Sequence, residues 1–212
     1  MTVVQKTALS TPTARRRLLL TLALKRARRG TGSAEVFLRG RTAMATWPNL
    51  SNVLAGLSWA VVGAVATRAY MPERTTQDLD VLVASEDAAE VRARLGGAGY
   101  VWVQALAIGG MTWRSPEGAL VDVIVSSLSW VREALASPGR DPQGLPILSL
   151  PYLVLMKLQA GRTQDLADAA RMLGLASEAA RQTTREVFQR WLPDALEDLE
   201  NLITLGELEM GK

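Results

Sequence analysis

Apolar and polar positions change rhythm along the chain, and from residue 47 onward they read as a packed α/β domain. The run LSWAVVG at 57–63 ends in glycine and predicts a buried strand followed by a tight turn. Residues 64–70 suit a short helix, and the polar stretch 71–77, with Pro72, a loop. LDVLVA at 79–84 predicts a second strand, buried on both faces apart from Asp80. Ser85 then predicts an N-cap for a helix over 88–95, closed by Gly96, Gly97 and Gly99. Three strand-like runs follow at 100–106, 111–114 and 120–126, with turns at 109–110 and 116–118, and predict an antiparallel meander. A Pro/Gly-rich passage at 137–146 marks a boundary. Beyond it lie helical patterns over 151–160, 164–173, 177–192 and 193–208, with Pro151 and Pro193 at first helical positions.

The expected fold is mixed α/β (α+β): a mixed, mostly antiparallel sheet flanked by helices, then a C-terminal helical bundle. The expected division is a basic N-terminal extension over 1–46, a core over 47–136 and a helical subdomain over 137–212. At 212 residues the chain is long enough for one real core.

Charge separates the extension from the rest. Residues 1–46 hold ten Lys/Arg and one acid, Glu35, for +9, whereas the other 166 residues hold 14 basic and 20 acidic residues, for −6. The formal net of +3 averages the two. Four readings of 1–46 stand open: a transit peptide, a basic helix over 13–29 that touches nucleic acid or anionic lipid, a disordered arm, or an extension ahead of a true start at Met44. No stretch approaches the ~18 uninterrupted apolar residues of a membrane span, so a cytoplasmic protein without a membrane partner is expected.

Composition narrows the chemistry. The chain has no cysteine and no histidine, which removes thiolate nucleophiles, Ser-His-Asp triads, imidazole bases and Cys- or His-ligated metals. Carboxylates, lysine, arginine, hydroxyls, backbone amides and oxygen-ligated cations remain.

Among these, the carboxylates are the most informative. Asp78-Leu79-Asp80 opens the 79–84 strand, and alternation puts both acids on one side with Leu79 on the other. Two carboxylates so placed repel each other unless a cation lies between them. Asp122 is embedded in another apolar strand, LVDVIVS, where a lone buried acid is costly without a partner. Three acids from two strands suit a hard cation such as Mg²⁺. Gly63, in a strand–turn–helix fifteen residues upstream, allows a phosphate to approach backbone amides. The bland alternative is an Asp that simply opens a strand in solvent.

The segment VGAVATRAYMPERTTQDLDVLV at 62–83 resembles the signature of the polymerase-beta-type nucleotidyltransferases, and within them the small prokaryotic branch of AbiEii-like toxins. YLVLMKLQAGRTQDLADAARML at 152–173 is similar to the helical Lys-Leu-x-Ala-x-Arg-x-x-Asp-x-x-Asp segment of that family. The resemblance implies the nucleotidyltransferase fold, with Asp78, Asp80 and Asp122 as catalytic residues that bind Mg²⁺, or Mn²⁺ in its place. It further implies nucleotide contacts at Gly63, Ala64, Arg74, Lys157 and Asp165. Asp122 would also orient or deprotonate the acceptor hydroxyl, and Asp168 would serve a structural network. Ala64 stands where many relatives carry Gly or Ser, and Gln77 where some carry another polar residue.

Lys157 also has a structural reading, as a lysine that snorkels from an apolar helix. Yet from residue 53 on, the chain has twelve arginines and only two lysines, Lys157 and Lys212. For the six tryptophans core filling is the default reading, with Trp102 and Trp113, on the meander, open to an alternative place near the site. The activity implied is transfer of NMP from an NTP to a hydroxyl on RNA such as tRNA, a protein or a small molecule. A cognate toxin or antitoxin is a further implied partner. The alternative is a non-catalytic protein of the same fold, acting as an antitoxin or binding subunit.

Overall fold

A computed structural model describes residues 11–30, 47–71, 78–141 and 144–211. The chain divides into two compact units, Arg39–Ser149 and the paired segments Met1–Leu38 and Leu150–Lys212. The described residues form seven strands and eight α-helices.

The first unit is built on a sheet. Its elements are β1 (Trp59–Val61), α2 (Gly63–Thr67), β2 (Asp78–Ala84), α3 (Ala88–Gly97), β3 (Val101–Ala105), β4 (Gly110–Arg114), β5 (Leu120–Ser126), α4 (Val131–Ala136), β6 (Gly139–Arg140) and β7 (Pro146–Ile147). The seven strands lie in the order β3-β4-β5-β2-β1-β7-β6. Four of the six pairings are antiparallel; β2–β5 and β1–β7 are parallel. The mixed, mostly antiparallel sheet and the meander β3-β4-β5 are therefore as the sequence predicts.

Alternation along the two central strands shows why they pair. Leu79, Val81, Val83, Val121 and Val123 are fully buried on one face, each apolar side chain contributing about 1.5–3 kcal/mol when removed from water. Asp78, Asp80 and Asp122 occupy the intervening positions and are only half-buried.

Three local features differ from expectation. Ser85 does not cap α3: residues Ser85–Asp87 form a 3₁₀ turn, and the Ser85 hydroxyl donates to Glu86 Oε2 at 2.9 Å. The Pro/Gly-rich passage contributes β6 and β7, of two residues each, where Pro146 pairs with Arg140. Proline is tolerated there because it is the first residue of its strand, where a ladder donor can be spared. Pro193 opens a 3₁₀ turn, Pro193–Ala195, instead of the α-helix itself.

The second unit is helical: α1 (Pro12–Arg26), α5 (Leu150–Ala160), α6 (Thr163–Leu175), α7 (Glu178–Trp191) and α8 (Leu196–Met210). Thr11 caps α1 by accepting from the Ala14 amide, and Ser177 caps α7 by accepting from the Ala180 amide. α8 packs along α6 and α1, while α5 packs against α6 and α7. The α6–α8 contact depends on glycine, since a Cβ on Gly206 would lie 2.0 Å from the Ala170 carbonyl oxygen.

Helix α1 falls inside the basic 1–46 segment and turns one face, Arg16 and Leu20, into the bundle. Arg16 Nε lies 2.7 Å from Asp198 Oδ2 on α8, and its Nη1 donates to the Leu158 carbonyl at 3.3 Å. Residues 1–10 and 31–46, including Met44, lie outside the described residues. Among the described residues, no helix is long and apolar enough to cross a membrane.

Candidate active site

Strand register brings the sequence-predicted acids together. Asp80 and Asp122 are direct partners on the parallel strands β2 and β5, so their side chains leave the same face of the sheet about 4.8 Å apart at the backbone. Asp78 lies two residues back on β2, on that same face, opposite Leu120.

The third element of the arrangement is the β1–α2 turn. Gly63 has φ +62°, in the left-handed region that favours glycine. A Cβ at this position would lie 1.9 Å from Asp80 Oδ2. The Val62 amide donates to the Asp80 carbonyl at 2.9 Å, which fixes the turn against β2. Glycine is thus required twice here, by backbone conformation and by the approach of the carboxylate. Ala64 follows within α2. Arg74 and Gln77 lie outside the described residues.

One contributor escaped the sequence reading. Thr112 on β4 is the register partner of Asp122, is 4% exposed, and donates from Oγ1 to Asp122 Oδ1 at 2.6 Å. A hydroxyl at an alternating strand position across a meander from an acid was the available signal. Trp113, in contrast, pairs with Val121 and with Trp102, which puts both tryptophans on the face opposite the acids. This one-residue offset rules out the alternative place beside the acids for both.

Lys157 and Asp165 belong to the helical unit. Lys157 Nζ lies 2.9 Å from Asp168 Oδ2 and 3.4 Å from Asp165 Oδ1, and all three side chains are buried. Asp165 also accepts from Arg162 Nε at 2.6 Å, and Asp168 from Gln164 Nε2 at 2.8 Å. The group braces α5 against α6.

A hard divalent cation fits the donor chemistry of the sheet site, which offers carboxylate oxygens beside a glycine cradle that a Cβ would fill. Among the described residues, no group of three or more Asp, Glu, His or Cys converges tightly enough to hold a metal ion alone. Mg²⁺ does not demand such a cage: it retains waters and binds through one or two carboxylates together with substrate phosphates.

The opposite end of β2 and β5 is chemically distinct. A cavity of about 280 Å³ there is lined by Ser126, Ser127, Ser129, Glu86 and Arg132, among others. A hydrogen bond from its backbone amide, and then one from Arg132, hold the exposed Glu86 carboxyl down at about 2. Its acid is committed to a surface ion pair with Arg132.

No protein-family model matches this sequence, and no curated protein matches it. Among solved structures, the chain is similar to the antibiotic-resistance factor ANT(2'')-Ia in solution, at 16% identity and a TM-score of 0.46, over 71% of this chain and 94% of that one. It is similar to ANT(2'')-Ia in complex with adenylyl-2''-tobramycin at 15% identity and 0.39, over 70% and 87%. A cytoplasmic RNA terminal U-transferase is similar at 12% identity and 0.30, over 74% of this chain and 42% of that one. These TM-scores, all below 0.5, carry no weight for function, which has to come from the residues themselves.

Proposed function

We propose that this protein is a nucleotidyltransferase of the polymerase-beta type, moving NMP from an NTP to a hydroxyl acceptor as the bond from the α-phosphorus to the β-phosphate oxygen breaks and pyrophosphate leaves. The observation that carries the reading is the pairing of Asp80 with Asp122 on adjacent parallel strands, with Asp78 on the same face and the Gly63 turn against Asp80. This geometry supports the strand–glycine–helix and Asp-x-Asp signature quoted above from the sequence.

In this reading, Asp78, Asp80 and Asp122 hold Mg²⁺, or Mn²⁺ in its place. The cation, when bound, neutralises the triphosphate and stabilises the attacking and leaving oxygens of an in-line displacement. The carboxylates keep the cation and the α-phosphate in register with the acceptor. Asp122 orients the acceptor hydroxyl and takes its proton. The backbone at Gly63 and Ala64 receives the β- and γ-phosphates, where a side chain at 63 would intrude, and Arg74 adds positive charge. The family resemblance assigns nucleotide contacts to Lys157 and Asp165 as well. A phosphate must then compete with Asp168 for the Lys157 ammonium.

The acceptor is a hydroxyl of RNA such as tRNA, of a protein or of a small molecule. The AbiEii-like resemblance extends the proposal to a toxin–antitoxin role. The second reading is a non-catalytic antitoxin or binding subunit of the same fold, in keeping with Ala64, which offers a phosphate no side-chain hydroxyl. Its signature is Mg-NTP binding without transfer. Incubation with each labelled NTP, Mg²⁺ and a pool of RNA, protein or small-molecule acceptors separates the two: the proposal predicts label on an acceptor, and bound but untransferred nucleotide contradicts it.

A further inference from the structure

Asp80 is positioned by the turn at Gly63, but Asp122 has no such neighbour in its own strand, where apolar residues flank it. What fixes its carboxylate is a hydroxyl from the next strand. Thr112 and Asp122 face each other across the β4–β5 ladder, and Thr112 Oγ1 lies 2.6 Å from Asp122 Oδ1. An ionised carboxylate can only accept, so the hydroxyl is the donor. Threonine is β-branched and stiff at χ1, and Thr112 is buried. The donor therefore sits on a rigid strand with little freedom to wander.

Building on the nucleotidyltransferase reading, we propose that Thr112 is a positioning residue: its hydroxyl holds Asp122 Oδ1 so that Oδ2 is directed to the cation and the acceptor hydroxyl. A carboxylate ligand free to rotate would bind a cation in several geometries, only some of them productive. A single fixed donor on one oxygen removes that freedom without adding charge. Groups that orient metal ligands in this way typically contribute ~10–100-fold to metal affinity or activity.

The test compares Thr112→Val, which is nearly isosteric but lacks the hydroxyl, with Thr112→Ser, which restores it, in the full chain. Mn²⁺ alone is the metal probe, followed by electron paramagnetic resonance, alongside kcat and KM for the NTP and a melting curve. Thr112→Val is expected to weaken Mn²⁺ binding and lower kcat, each about tenfold, with KM for the NTP and the melting temperature unchanged. Thr112→Ser recovers both. Should the valine variant not fold, Thr112→Ala must show the same losses. Wild-type kcat and Mn²⁺ affinity in a folded variant without the hydroxyl would overturn the inference. So would a serine variant as impaired as the valine one, since that would make the role one of packing. If the wild-type protein neither binds Mn²⁺ nor transfers nucleotide, the proposed function fails and takes this inference with it.

Discussion

The two units treat their aspartates in opposite ways. In the helical unit, Asp165, Asp168 and Asp198 are 4%, 1% and 0% exposed. Each lies within ion-pair distance of a buried cation, Lys157 for the first two and Arg16 for the third. In the sheet unit, Asp78, Asp80 and Asp122 are half-buried along one face, and the hydroxyl of Thr112 supports Asp122. A fully buried carboxylate requires a counter-charge built into the fold, because desolvation is otherwise too costly. A half-buried row can leave part of its neutralisation to a mobile cation. The buried acids hold helices together, and the half-buried ones are those proposed to hold the cation.

Substitution at Asp80 should show the largest effect and the cleanest division. Asp80→Ala removes a proposed cation ligand worth several kcal/mol of transition-state stabilisation, about a thousandfold or more in rate. It should leave the protein folded, with a melting temperature close to that of the wild type. Unfolding of Asp80→Ala would place this residue with the structural acids instead.

Asp198→Ala should do the reverse. It leaves Arg16, 8% exposed, without its carboxylate, and should lower the unfolding free energy by about 3–5 kcal/mol. Turnover per folded molecule should not change. Urea unfolding measures the loss, and adding Arg16→Met to Asp198→Leu should recover most of it, because an apolar pair can replace a buried ion pair. Failure of the single variant to destabilise would mean that α1 is not held by this contact.

Gly63→Ala sits between the two classes. Its Cβ meets Asp80 Oδ2 and its backbone leaves the favoured region for alanine, so a cost of about 1–3 kcal/mol is expected from the backbone alone, with transfer lost as well. Equal stability in thermal melts would remove the steric link between the turn and the acid.

The smallest expected effect is at Glu86. Its folded pKa, about 2, lies below the ordinary carboxylate value of 4.5, so its contribution is present above the unfolded value and is lost as pH falls through about 2. Glu86→Gln should slightly flatten the stability profile between those two pH values and leave neutral-pH transfer untouched. A steep change near neutral pH would contradict the assignment.

Much of the sheet was legible because its signals are local. Alternation in LDVLVA and LVDVIVS identified β2 and β5, and Asp78, Asp80 and Asp122 stood out as acids in apolar runs. That β2 and β5 are parallel partners, placing Asp80 directly beside Asp122, was not legible, because register is set by contacts across the intervening chain, residues 85–119. The strands β6 and β7 were hidden by their length, two residues each, which is too short for any period. The place of α1 was obscured by its composition. A basic run resembles a solvated arm, and the acid that captures Arg16 is 182 positions away. One sign was present: Asp198 occupies the same apolar stripe of α8 as Leu202 and Leu205, and a buried acid in such a stripe calls for a cation from elsewhere.

The central claim is that the half-buried row, and not the buried pairs, performs chemistry. Labelled NTP and Mg²⁺, offered with acceptor pools to the wild-type protein and to Asp80→Ala, test it most directly. The account predicts transfer of labelled NMP by the wild type and none by folded Asp80→Ala. Equal transfer by both, or no transfer together with no Mg-NTP binding by calorimetry, would contradict it.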